Sequence, residues 1–356
     1  MNEVVVIGGG IVGSAAAYRL VRGGASTTLV DREDQGQATA AGAGIIAPGF
    51  GLMQWAARHY VDLIAQLAED CETHTGYERS GMMQVAVMDA EAEQLASVQR
   101  SDASSRLTAL EAVEVFPPLG PVRAALLHPD AARVDSRLMR GALRRAAQSR
   151  GATLLKGHAE PVIESGRAVG ATVDGRRIPA DVVVFAGGAW STSLARTLGW
   201  NLPIRPQRGQ ILHLAMPDVR TNAWSIVTGF HSHYLLTFPP DRVVAGATHE
   251  HVGFDARVTA GGVLEALGEA LRIAPGLSGA ILSEVRVGFR PVSADGLPVL
   301  GRAPGLSSLL VATGHGAVGL HLGPYTAGAV SDLALGIEPP FDLAPYSPTR
   351  FDVARA

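Results

Sequence analysis

Lysine is almost missing from this chain: among 30 basic residues only Lys156 is a lysine, and the others are arginines. Schiff-base chemistry at a lysine amine is not expected, because Lys156 stands beside Gly157 in what reads as a surface turn. Cysteine is as scarce. With Cys71 alone, an intramolecular disulfide and a cysteine-based metal cluster are both excluded, and Cys71 reads as a small buried apolar residue. Charged residues make up 18% of the chain and leave a net charge of −3, which offers no basic footprint for nucleic acid or an anionic membrane. No apolar run reaches the roughly 18 residues that a membrane-spanning helix requires. The N-terminus carries Glu3 where a secretory leader would be basic, and it enters a strand at once. These absences lead us to expect a soluble, cytoplasmic protein.

Glycine is what the chain has in excess, with 42 in 356 residues, in a composition that is 47% hydrophobic. The apolar content can build a sizeable core, in one large or two interleaved domains. The glycines suit tight turns and close approach of the backbone to a ligand. Residues 3–7 read as a buried parallel strand, 12–22 as a helix, and 26–30 as a second strand ending at Asp31. The segment 37–49 is too glycine-rich to be helical throughout. Helices are expected over 52–70, 89–100, 134–151 and 262–273, and strands over 82–88, 153–155, 161–165, 168–173, 181–185 and 309–312. Between 206 and 290 the pattern favours antiparallel strands at 210–214, 234–237, 243–245 and 285–289.

The first turn carries the chemistry. Gly8-x-Gly10-Ile11-Val12-Gly13 follows a strand and opens a helix, and Asp31 stands 18 residues after Gly13. The first glycine permits the turn, the second lets backbone approach a diphosphate, and the third allows close helix packing. Free N–H groups at the helix start then face the diphosphate, and the carboxylate suits a ribose hydroxyl. Dinucleotide binding follows, although this fingerprint alone does not separate FAD from NAD.

Three later segments are more specific. Thr39-Ala40-Ala41-Gly42-Ala43-Gly44-Ile45-Ile46, the run 180–190 ending in Ala186-Gly187-Gly188-Ala189-Trp190, and the C-terminal pair 288–301 and 312–320 occur in that order. With the first turn they resemble the D-amino acid oxidase family of flavoproteins, near its glycine oxidase and D-amino acid dehydrogenase branch. The likeness covers nearly the whole chain. It implies an α/β architecture: a discontinuous Rossmann-like FAD-binding domain, over 1–80, 134–205 and 286–345, with an inserted, mostly antiparallel substrate domain over 81–133 and 206–285. It also implies non-covalent FAD, because no cysteine occurs near Arg290. Cofactor contacts are implied for Gly8, Gly10, Ile11, Val12 and Gly13, for Asp31 and Arg32, and for Thr39, Ala40, Ala41, Gly42, Gly44, Ile45 and Ile46. Val162, Ala186, Gly187, Trp190 and Arg290 complete the set together with Gly314, His315, Gly316, Ala317, Val318 and Gly319.

The same resemblance places Arg290 as the substrate-carboxylate clamp, a role that suits a planar guanidinium fork; the competing role is a surface ion pair. Tyr234 is implied as a pocket wall able to hydrogen-bond substrate, or else a core tyrosine. His249 faces either the substrate or solvent. His315, inside the C-terminal glycine turn, is expected to make a structural hydrogen bond. Glycine oxidases carry an arginine where this chain has Ala317, so a second positive charge is lacking and glycine is disfavoured as best substrate. The implied reaction is oxidative deamination of a small amino acid, most simply a D-amino acid, through hydride transfer to flavin. The acceptor is oxygen, or a quinone or other electron carrier, and a dehydrogenase would be compatible with peripheral membrane association.

An N-methyl or cyclic amino acid or a 2-hydroxy acid is the alternative substrate, and a non-catalytic FAD-binding subunit the alternative of another class. Oligomeric state is open. His231, His233, His249 and His251 lack partners at helical ligand spacing, so no metal is expected. Ser191 and Ser193 lack a nucleophile elbow, which argues against a hydrolase.

Overall fold

The valine-rich strand Glu3–Ile7, buried from Val4 onward, lies within a six-stranded sheet because both of its faces are covered by other elements. In the computed structural model, which describes residues 2–47, 49–98 and 103–355 (the last four by backbone alone), the sheet draws on widely separated segments. Its order is Val299–Arg302, Leu309–Thr313, Val182–Phe185, Glu3–Ile7, Ser26–Asp31, Thr153–Lys156. Every pairing is parallel except the one between the first two strands. Helix Ile11–Arg22 is covered by Gly319–Leu335 and Ser136–Ser149, and its Ala15, Ala16 and Ala17 let those neighbours come close.

A second sheet has eight strands: Ile281–Ser293, Ile204–Ala215, Arg242–Gly246, Tyr234–Phe238, Ile226–Thr228, Met82–Ala86, Ala124–His128 and Ser105–Leu107, in spatial order. Only Ile226–Thr228 against Met82–Ala86 is parallel. Helix Ala260–Ile273 covers this sheet through Ala266, Ala270 and Ile273, and Phe116 packs tilted against Trp224 in the same core with centroids 5.2 Å apart. A three-stranded sheet, Ala159–Glu164, Arg167–Val173 and Arg176–Pro179, flanks the first.

Several borders differ from expectation. The two longest strands pair from Ile204↔Ser293 to Ala215↔Ile281, so the expected divisions at 205/206 and 285/286 cut through strands. The antiparallel sheet instead runs out to 204 and 293. The helix expected over 89–100 is Asp89–Ser97; residues 99 and 100 lie outside the described ones, as does residue 48 of the glycine-rich segment. That segment contains one helical turn, Ala38–Ala41. Cys71 is not buried. It is exposed just past helix Leu52–Glu69, at φ 62°, where the chain reverses and its side chain is turned outward. Lys156 closes a strand and pairs with Glu33 at 3.0 Å. Among the described residues, no helix is long and apolar enough to cross a membrane.

Candidate active site

The ends of these two sheets enclose a cavity of about 790 Å³. At one end lies the glycine turn. Gly8 has φ 102°, and a Cβ there would stand 2.4 Å from the Ala186 carbonyl oxygen; a Cβ on Gly13 would stand 1.8 Å from that of Gly8. Neither place accepts a side chain, which is why strand, turn and helix can pack with backbone bared to the cavity. Gly10 offers no side chain to cap helix Ile11–Arg22. The Thr39 hydroxyl does it from another loop, accepting from Ile11 N at 2.9 Å. Asp31 lies on the same wall, its carboxylate accepting from Gln37 Nε2 (2.9 Å), Glu33 N (3.2 Å) and Arg144. Arg32 and Asp34 pair beside it.

Trp190 and the turn Gly316–Val318 form the middle of the cavity. Trp190 stacks on Phe254 with centroids 5.2 Å apart and meets Phe289 edge-on at 6.2 Å. Gly288 faces the 37–41 loop, where a Cβ would come within 2.8 Å of Ala41 Cβ. His315 is buried and bonds Thr326 Oγ1 through Nε2 at 2.8 Å, and burial pushes its imidazole down to about 4. The expected structural bond is therefore present. His321, on the first turn of Gly319–Leu335, also lines the cavity; its Nε2 bonds the Met53 carbonyl at 2.9 Å, and burial pushes it down to about 4.

The opposite end is built from neighbouring strands of the antiparallel sheet. Arg290, on Ile281–Ser293, is half-buried and donates from Nη1 to the Thr248 carbonyl at 2.9 Å. Its guanidinium passes over Gly209 of the adjoining strand, where a Cβ would stand 2.6–2.8 Å from it. Tyr234 stands beside it, opposite Gly246 in register. Burial pushes the Tyr234 phenol up to about 12 despite a smaller pull from Arg290. His249 opens to the cavity; desolvation, then the positive charge of Arg290, hold its imidazole below the ordinary range. No acidic side chain pairs with Arg290 among the described residues, and the acids on the cavity wall, Asp31, Asp34 and Glu160, belong to the far end.

A profile of FAD-dependent oxidoreductases, the D-amino acid oxidase type, matches residues 3–333. The chain belongs to this family of flavoenzymes. It is similar to iminodiacetate oxidase from Chelativorans sp. BNC1, whose crystal structure superimposes with TM-score 0.92 at 39% identity over 97% of this chain and 98% of the other. It is 39% identical to the uncharacterized oxidoreductase YurR of Bacillus subtilis (98% of this chain, 99% of that one) and 30% identical to glycine oxidase of Pseudomonas putida (98% of both). FAD is accordingly the family cofactor. The residues present suit it: two glycines whose Cβ positions are filled by backbone, a carboxylate at the end of the second strand, and a long cavity between them and Arg290.

Most sequence-expected positions line this one cavity: Gly8, Gly10, Ile11, Val12, Asp31, Arg32, Thr39, Ala41, Gly42, Gly44 and Ile45, then Ala186, Gly187, Trp190, Arg290, Tyr234, His249 and 315–319. Gly13, Ala40, Ile46 and Gly314 stand just behind the wall, with Gly13 acting by packing. Val162 does not reach it. On its strand the wall is made by Ala159 and Glu160, after Gly157 and His158, because the strand leaves the cavity before Val162. Sequence reasoning missed Arg144, His321, Met53 and Met82. Nothing local in the sequence distinguishes them, since each reaches the cavity or its wall from an element assigned to packing. His231 pairs with Glu269 at 3.1 Å, and Arg272 shares that carboxylate; among the described residues no group of three His, Cys, Asp or Glu is placed to hold a metal. Ser191 Oγ bonds the Gly188 carbonyl at 2.7 Å and Ser193 Oγ that of Trp190 at 2.7 Å.

Proposed function

We propose that this chain oxidises the Cα–N bond of a small amino acid whose carboxylate is held by Arg290. The observation that supports this reading most directly is a half-buried guanidinium with no acidic partner among the described residues, at the end of the cavity away from its acids. Such a group wants a planar anion, and a carboxylate meets it with two hydrogen bonds. Tyr234 keeps its proton at any working pH and can donate to the same carboxylate or to a neighbouring polar group. Bound FAD supplies the two-electron oxidation. Gly8, Gly10 and Asp31 would hold its nucleotide half, and the turn Gly316–Val318 with the start of Gly319–Leu335 would face its redox half with the positive end of a helix. Among the described residues no carboxylate lines the cavity beside Arg290 to balance an ammonium group, so the site takes the amine in its neutral form. The imine that leaves is hydrolysed by water to a 2-oxo acid and ammonia, or to the free amine where the nitrogen is substituted.

A D-amino acid is the first substrate reading. Ala317, where glycine oxidases have an arginine, supports a substrate other than glycine. An N-substituted amino acid is the second. It is favoured by the similarity to iminodiacetate oxidase together with His249, which adds an imidazole beside Arg290 for a second polar group. Anaerobic bleaching of the bound flavin separates them, with D- and L-amino acids, sarcosine, proline, iminodiacetate and lactate as the panel. Bleaching by D-amino acids supports the first reading, and bleaching by iminodiacetate or sarcosine alone the second. If no carboxylated amine bleaches the flavin, the assignment of Arg290 as its clamp fails. Repeating the active pair with oxygen and with an artificial quinone identifies the acceptor.

A further inference from the structure

Helix Ser136–Ser149 carries arginines at 137, 140 and 144, a spacing of three and then four that sets them along one side. Each reaches a different part of the cofactor cradle. Arg137 Nε donates to the Ala40 carbonyl at 2.8 Å. Arg140 Nη1 donates to Gln37 Oε1 at 2.8 Å, and Gln37 Nε2 extends the chain to Asp31. Arg144 Nη2 donates to the Gly9 carbonyl at 2.7 Å and to Asp31 Oδ2, while its Nε lies 3.4 Å from Ser14 Oγ. One row of guanidinium groups thus ties together the glycine turn, the acid at the end of the second strand and the 37–41 loop.

The charges give this row a purpose. A dinucleotide brings its diphosphate to the glycine turn, and Asp31 adds a further negative charge close by. Left alone, that carboxylate would oppose the ligand whose ribose it is placed to hydrogen-bond. Arg144 offsets it, and a planar fork that grips Asp31 and Gly9 together also fixes the carboxylate's orientation. Arg140 has no acidic partner among the described residues, and burial, then repulsion from Arg144, weakens its hold on its proton. A desolvated cation in that position is disfavoured in the empty protein and is relieved when an anion arrives. Gly9 is explained as well. A Cβ there would stand 2.1 Å from Arg144 Nη2 and 2.7 Å from Asp31 Oδ2. The turn needs its glycines at 8, 10 and 13; the glycine at 9 makes room for the arginine.

We propose that Arg144, supported by Arg140, is a positioning residue for FAD: it orients Asp31 and offsets its charge, so that the nucleotide half of the cofactor binds tightly. The test is an FAD titration of apoprotein, followed by flavin fluorescence, for Arg144→Gln, Arg140→Gln, Gly9→Ala and the double variant of Gly9→Ala with Arg144→Gln. A lost charge-assisted hydrogen bond predicts FAD affinity weaker by roughly tenfold or more in Arg144→Gln. A smaller loss is expected for Arg140→Gln, and a loss in Gly9→Ala that adds little to that of Arg144→Gln. Turnover at saturating FAD is expected to fall by less than FAD affinity, because Arg144 bonds Gly9, Asp31 and Ser14 and not Arg290. FAD affinity unchanged in Arg144→Gln overturns the proposal, as does a fall in apoprotein melting temperature without any change in affinity. Should Arg144→Gln fail to fold, Arg144→Lys and Arg140→Gln decide the matter, and unaltered FAD affinity in both overturns it.

Discussion

Arg290 donates to the Thr248 carbonyl and lies against the Tyr234 hydroxyl, which leaves its remaining donors to the cavity. Arg290→Ala should therefore lower kcat/KM by the cost of an unpaired buried carboxylate, about 2–5 kcal/mol. Arg290→Lys should recover part of the binding but not the two-bond geometry, so its loss should appear in KM and kcat together. Steady-state kinetics at unchanged FAD content checks both, and near-normal kcat/KM in Arg290→Ala would remove this residue from the site. Gly209 belongs to the same argument, because any Cβ there would collide with the guanidinium. The pH profile follows from the neighbours. Burial drives the Tyr234 phenol up to about 12, and desolvation with Arg290 holds His249 below its usual range, so both stay uncharged from about pH 7 to 10. kcat/KM should then rise with pH along a single limb set by the substrate amine losing its proton. Two substrates of different amine basicity should shift that limb, and a limb that moves instead in His249→Gln would contradict the assignment.

Helix Ser136–Ser149 is joined to the antiparallel sheet by the residue that caps it. Asp135 Oδ1 accepts from Arg137 N (3.0 Å) and Leu138 N (3.1 Å), and its other oxygen pairs with Arg242 of strand Arg242–Gly246. Burial opposes ionisation of this carboxyl, but Arg242 and the two amides outweigh it. Asp135→Asn keeps the cap and breaks the ion pair, whereas Asp135→Ala loses both and should be less stable by about a further 1 kcal/mol in urea unfolding. Equal midpoints for the two variants would show that the cap contributes nothing. The helix itself was legible over 134–151 because its periodicity is local, as were the Val- and Ile-rich parallel strands. Strands of the other kind were not. Val299–Arg302 and Ile226–Thr228 are three or four residues long, and each is a strand only because a distant partner supplies its hydrogen bonds. The cap on Ile11–Arg22 was hidden for the same reason: its acceptor is Thr39, 28 residues away.

Across the whole molecule, the cavity needs strands from the start, middle and end of the chain, and the ordered glycine motifs announced that assembly while saying little about its walls. On the strand Ala159–Glu164 the cavity is lined by Ala159 and Glu160 and not by Val162. Burial in those walls and in the sheet behind them has a cost in acid. His213, His315 and His321 are each pushed down to about 4, chiefly by burial, and His213 has no hydrogen bond at either ring nitrogen. A histidine whose folded pKa lies below its unfolded value, about 6.5, binds more protons unfolded than folded between the two. Its contribution is therefore intact above about pH 6.5 and is lost as pH falls toward 4. Glu284, held at about 2 by Arg286, and Glu250, held at about 2 where Arg208 outweighs burial, act in a lower window. Their stabilisation is present above the ordinary glutamate range and disappears as pH falls through 2. Stability should then decline in two stages, the first below about pH 6.5 with proton uptake on unfolding by these three histidines and by His59, His128 and His249, which are also held below the ordinary range, the second below about pH 4.5. His213→Gln lies on the antiparallel sheet, away from the cavity wall, so it should flatten the first stage by about one proton while leaving FAD affinity unchanged. Urea midpoints measured from pH 7.5 to 3.5 for holoprotein and His213→Gln would show this, and a first stage of the same steepness in both would mean that this buried imidazole takes up its proton without unfolding the chain.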